Sequence, residues 1–181
     1  TMRILGALHV DHDRLDEADA TLRAAADLAE RGGIAFELAA SLVSLAFVRQ
    51  RRGDLEEAIE LDRRAVQVLR RIRHGFEGGA LANLAHKLCD AGRSDEGGVV
   101  AAESLVAAQR SGDAYAEADA RYALGRVAAA ARRADEARSE LTAALAILED
   151  MGTTLMVEDI DVLLREVSAD RLARADRGDD G

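Results

Sequence analysis

His9 and His12, three residues apart and flanked by Asp11 and Asp13, are the first side chains in this sequence whose types and spacing could do chemistry. Two imidazoles one helical turn apart, beside carboxylates, can share a metal ion. The helical pattern puts His9 between two packed helices and Asp13 in the turn that follows, so packing is expected instead of a metal. Cys89 is the sole cysteine. A reactive thiolate needs a cationic neighbour or a helix N-terminus, whereas Asp90 follows Cys89 near a helix end, and a half-buried bystander is expected. Arg63, Arg64, Arg70, Arg71 and Arg73 form a basic island whose guanidinium forks could grip phosphate or carboxylate. Exposed charge runs seldom do anything specific, and a solvated convex face paired with Glu56, Glu57 and Glu60 is expected. The sequence holds no phosphate-binding glycine loop, H-E-x-x-H helix or nucleophile elbow, and Gly97-Gly98 lies within a helical pattern. Its carboxylates are spread over helix faces and not paired in an apolar pocket. No catalytic residue, no metal and no cofactor is therefore expected.

Composition narrows the class. The chain is 49% hydrophobic but only 3% aromatic, with neither Trp nor Pro, so alanine and aliphatic side chains must fill the core. That suits close-packed helices and argues against a β-sandwich. A net charge of −10 opposes nonspecific binding to nucleic acid or to an anionic membrane. Lys87 is the single lysine among 24 basic residues, a bias expected of a GC-rich bacterial genome. One cysteine allows no internal disulfide and fits a reducing compartment. No apolar run approaches the roughly 18 residues of a membrane span, and the N-terminus lacks a signal-peptide core. A cytoplasmic protein is expected.

Any site must be positioned by a repeat. Ala18, Ala58, Gly97 and Ala137 recur at intervals of 40, 39 and 40 residues, each preceded by a glutamate. Leu5, Leu45, Leu84 and Leu124 form a second column, followed by the small residues Gly6, Ala46, Ala85 and Gly125. Ala25, Ala65, Ser104 and Ala144 form a fourth. Small residues let helix backbones approach while leucines interlock beside them. The pattern predicts helices over about 2–12, 15–31, 34–52, 55–73, 76–91, 94–110, 113–131 and 134–150, in four pairs bounded near 1–33, 34–74, 75–112 and 113–152. Gly53 can end a helix at positive φ, and Asp54 with Glu57 can form a capping box. The joints Arg31-Gly32-Gly33, Arg73-His74-Gly75 and Ser111-Gly112-Asp113 are expected helix stops. A ninth helix from about 154 carries Met156, Ile160, Leu163 and Val167 on one stripe, and within a unit at 153–172 it should cover the last pair's apolar face. Residues 173–181 have no apolar period and should be disordered. The abrupt Thr1-Met2 opening leads us to expect further repeats or another domain upstream.

The Leu-small, turn, Glu-Ala and alanine signature over residues 2–150 resembles tetratricopeptide (TPR) repeats, although a TPR unit is about 34 residues and HEAT or armadillo units about 40–47. The resemblance implies an all-α, right-handed superhelical solenoid of four helix pairs plus a capping helix. In TPR families the first helix of each pair lines a concave groove that binds extended peptides or partner helices. Carried over by frame, that groove takes Ala7, Val10 and Asp11; Val43, Phe47, Gln50 and Arg51; Ala82, Asn83, His86 and Asp90; and Tyr122, Arg126 and Ala129. Phe47 and Tyr122 are its expected anchors, with Arg51 and Arg126 available to an acidic ligand group. TPR domains that clamp chaperone C-termini use groove lysines and paired asparagines; here Phe47 and His86 stand in the asparagine positions. The 40-residue period and alanine–arginine richness resemble the C-terminal sensor arrays of large bacterial transcription activators. A noncatalytic scaffold in a larger regulatory protein is expected, binding a protein or peptide in the groove or another domain of the same polypeptide, with direct nucleic-acid and membrane binding excluded. A small-molecule sensor using the same groove and an oligomerisation module are the alternatives.

Overall fold

A computed structural model describes residues 14–175. The helix expected over 2–12, with its histidines and groove residues, and the last six residues lie outside that range. The described chain forms eight helices: α1 (Leu15–Arg31), α2 (Ala35–Arg51), α3 (Leu55–Ile72), α4 (Glu77–Asp90), α5 (Ser94–Ser111), α6 (Ala114–Ala130), α7 (Ala134–Asp150) and α8 (Val157–Ala175). The first seven match the expected spans to within a residue at each end. Helix α8 starts three residues later than expected and runs past 172. The described secondary structure is an all-helical solenoid in which α2–α3, α4–α5 and α6–α7 pair and α1 precedes them.

Small residues set the spacing. Ala18, Ala58 and Ala137 on the second helices are fully buried, as are Ala46 and Ala85 on the first helices. At Gly125, a Cβ would lie 2.6 Å from the Leu141 side chain of α7. The third pair departs most from the repeat, and its departures share one cause. A Cβ on Gly78 would sit 3.0 Å from the Ala108 backbone nitrogen, and one on Gly97 3.1 Å from Cys89 Sγ. Ser104, in the alanine column, donates a 2.8 Å hydrogen bond to the Gly78 carbonyl. Helices α4 and α5 thus approach too closely for the alanines of the second pair.

Turn chemistry follows the sequence in part. Gly33, Gly53 and Gly112 take positive φ. At the middle joint, however, Arg73 adopts the left-handed conformation (φ 51°) and Gly75 does not. Asp54 occupies the N-cap of α3, but its side chain makes no capping bond. The capping box fails because Glu57 is drawn elsewhere, to Arg49 Nε at 2.9 Å. Arg49 is 4% exposed and holds Asp19 at 2.6 Å as well. A buried guanidinium competes for a carboxylate better than an exposed amide does.

A second buried charge pair joins α3 to α4: Lys87 Nζ lies 2.8 Å from Asp62 Oδ2, and Asp62 is fully buried. Burial pushes the Asp62 carboxyl up to about 6, against the charge and hydrogen bond of Lys87. Three arginines of the basic island are paired, but mostly with different carboxylates from those expected. Arg63 meets Glu60 and Glu96, Arg64 meets Glu30, and Arg70 meets Glu77 and Glu103. Glu56 instead meets Arg93. These pairs are mostly cross-links between successive helix pairs, laid along the outer helices. At the C-terminal end, Ile160, Leu163, Leu164 and Val167 of α8 pack on Leu141, Ala144 and Leu148 of α7 and on Ala128 of α6.

Candidate functional site

The first helices α2, α4 and α6 bring side chains separated by 33 to 40 residues into one polar chain. Gln50 Nε2 donates to Asp90 Oδ2 at 2.8 Å. Arg126 Nη2 donates to Asp90 Oδ1 at 2.6 Å, and Arg126 Nη1 reaches His86 Nδ1 at 3.0 Å. His86 Nε2 lies 2.8 Å from Asp119 Oδ1. An arginine can only donate, so Nδ1 is the acceptor and the ring proton sits on Nε2, donated to Asp119. The tautomer of His86 is thereby assigned from its partners. Tyr122 leans on the same imidazole with ring centroids 4.9 Å apart, and the Arg126 guanidinium stands 6.0 Å from the Tyr122 ring. Burial raises the Tyr122 phenol; Arg126 lowers it, and Asp159, Asp90 and Asp119 raise it further.

These contacts draw together Gln50, His86, Asp90, Tyr122 and Arg126 of the expected groove. Phe47 stands on the same helix as Gln50 and is 44% exposed. Asn83 is half-buried and Arg51 exposed, while Val43 packs partly into the core of the first pairs. Ala82 offers no surface: it is fully buried. Arg126 does not stand ready for an acidic ligand, since Asp90 and His86 already engage it. Asp119, only 8% exposed, is the member the repeat frame left unnamed. Its signal in the sequence is one aspartate among the alanines 116, 118 and 120, where burial requires a partner.

The geometry offers positioning more than chemistry. His86 and Asp119 bond to each other, and His86 also meets Arg126 and Tyr122. The Cys89 thiol is half-buried, and burial pushes its pKa up; Arg126 pulls it down and Asp90 adds to the rise. The described residues include no group of three His, Cys, Asp or Glu side chains able to hold a metal. No described helix is long and apolar enough to cross a membrane.

Solved structures share this architecture. RapI without ligand superposes with a TM-score of 0.76 at 16% identity, over 96% of this chain and 49% of that one. The Rap protein in complex with Competence and Sporulation Factor gives a TM-score of 0.78 at 18% identity, over 98% and 51%. The chain has a TPR-type helical-repeat fold. A putative kinesin light chain of Podosopora anserina with TPR-like repeats also shares it, with a TM-score of 0.66 at 15% identity over 94% of each chain. The chain spans about half the length of the two Rap structures. No family model and no curated protein sequence matches it.

Proposed function

We propose that the chain is a noncatalytic scaffold that binds an extended peptide or a partner protein across the concave faces of α2, α4 and α6. In this reading it is the regulatory module of a larger bacterial protein, such as a transcription activator. The observation that carries the reading is the Gln50–Asp90–Arg126–His86–Asp119 chain. It ties three successive first helices together, with Tyr122 packed against its His86 and the exposed Phe47 on the same helix as its Gln50. A preorganised aromatic and polar surface loses little entropy when a ligand settles on it. Aromatic side chains of this kind dominate binding hot spots. A protein that shares this fold, Rap, has been solved in complex with Competence and Sporulation Factor, which supports the reading.

The test is to pan a phage library of random twelve-residue peptides on the chain and to measure the strongest binder on Phe47→Ala and Asn83→Ala. Phe47→Ala should weaken binding by about 1–2 kcal/mol, some five- to thirtyfold, with the melting temperature unchanged. A library without binders, or a binder indifferent to both substitutions, overturns the reading.

A further inference from the structure

Helix α8 repeats the register of α6 at an offset of 40 residues. Ala120, Leu124 and Val127 become Ile160, Leu164 and Val167, and in both helices the first and third of these are buried. As α6 packs on α5 and α4, so α8 packs on α7 and α6. Helix α8 is therefore the first helix of a fifth repeat. Its back differs. Gly125 and Ala128, which sit against α7, correspond to the exposed Arg165 and Ser168. A partner helix could not approach that polar back as α7 approaches α6.

The same offset fixes the front. Asp119, Tyr122 and Arg126 correspond to Asp159, Val162 and Glu166, spaced to lie along one helix face. Val162 is 42% exposed, and both acids are exposed. Upstream, Asp90 is answered by Arg126 and Gln50, and Asp119 by His86. No cation among the described side chains pairs with Asp159 or Glu166. The concave face thus continues onto α8 with an aliphatic side chain between two carboxylates that no described cation answers, and the Asp159 charge acts on the Tyr122 phenol.

We infer that α8 is the last wall of the groove, where Val162, Asp159 and Glu166 receive an aliphatic residue and an adjoining arginine or lysine of the bound peptide. The inference rests on the groove reading above, and charge complementarity selects the occupant: two carboxylates with no cation on them among the described side chains favour a basic side chain there.

The experiment uses the strongest peptide from the panned library, with affinities measured by fluorescence anisotropy on the whole chain. The variants are Asp159→Asn with Glu166→Gln, Val162→Ser, and Phe47→Ala as a groove control. The double variant should weaken binding about fivefold, the scale of one or two exposed charge pairs, and Val162→Ser should weaken it comparably. Replacing the peptide's basic residue by glutamine should cost as much on the parent chain and nothing further on the double variant, the signature of a direct pair. Binding within twofold of the parent for both α8 variants, with Phe47→Ala still defective, overturns the role of α8 and leaves the groove reading intact. A peptide insensitive to Phe47→Ala and Asn83→Ala as well, or a library with no binder, overturns the groove reading and this inference with it.

Discussion

Replacing Lys87 by methionine tests whether the α3–α4 joint depends on its buried ion pair. Lys87 is 3% exposed and Asp62 is fully buried, with 2.8 Å between Nζ and Oδ2. Methionine keeps most of the aliphatic stem and removes the charge, leaving a carboxylate without a cation. Breaking one partner of a buried pair costs about 3–5 kcal/mol, a large share of a domain's stability. The carboxyl has an escape, because it can take a proton. Its folded pKa of about 6 exceeds the reference value of 3.8. Between those values the native state binds more protons than the unfolded one, so this group's contribution improves as pH falls through 6 and is lost as pH rises through it. The gap corresponds to about 3 kcal/mol at about 1.4 kcal/mol per pH unit. Lys87 opposes the rise, so removing it moves the carboxyl further up and widens the window. Urea unfolding followed by helical circular dichroism should show Lys87→Met severely destabilised at pH 7.5 and much closer to the parent at pH 5. Asp62→Leu combined with Lys87→Met should recover most of the loss at pH 7.5. A loss below about 1 kcal/mol at pH 7.5, or a deficit that does not shrink on acidification, would refute the argument that a buried uncompensated charge is the cause.

Gly78→Ala should cost at least about 1–3 kcal/mol by forcing α4 from α5, whereas Gly98→Ala should fall near neutral. A Cβ at Gly98 meets only the Val127 side chain, at 3.2 Å from Cγ1, against a helix-propensity gain of about 1 kcal/mol; thermal melts compare the two. Ile160→Ala should cost about 2–5 kcal/mol, since the side chain is fully buried on α7, and native-state hydrogen exchange should show the loss first in α7 and α8. Cys89 should react with iodoacetamide more slowly than free cysteine at pH 8, because burial raises its pKa; a faster native rate would contradict that.

Local rules were enough for the helices and their pairing. The Leu-small and Glu-Ala columns placed seven described helices to within a residue, because a 40-residue echo of apolar spacing has few folded solutions. The TPR resemblance assigned Phe47, Gln50, His86, Asp90, Tyr122 and Arg126 to one groove, and helical period alone says only which of them can share a face of their own helix. Which of those side chains hold one another was a tertiary decision. Nothing between residues 50 and 126 announces that Asp90 would accept from both Gln50 and Arg126, or that His86 would orient on Asp119. The same holds for Arg49, which took Glu57 from the expected capping box, and for the arginines of α3, which found most of their carboxylates on neighbouring pairs. Periodicity records which face a residue occupies. The partner of a charge depends on how far one helix pair is rotated on the next, and that rotation comes from the sizes of the buried residues between them.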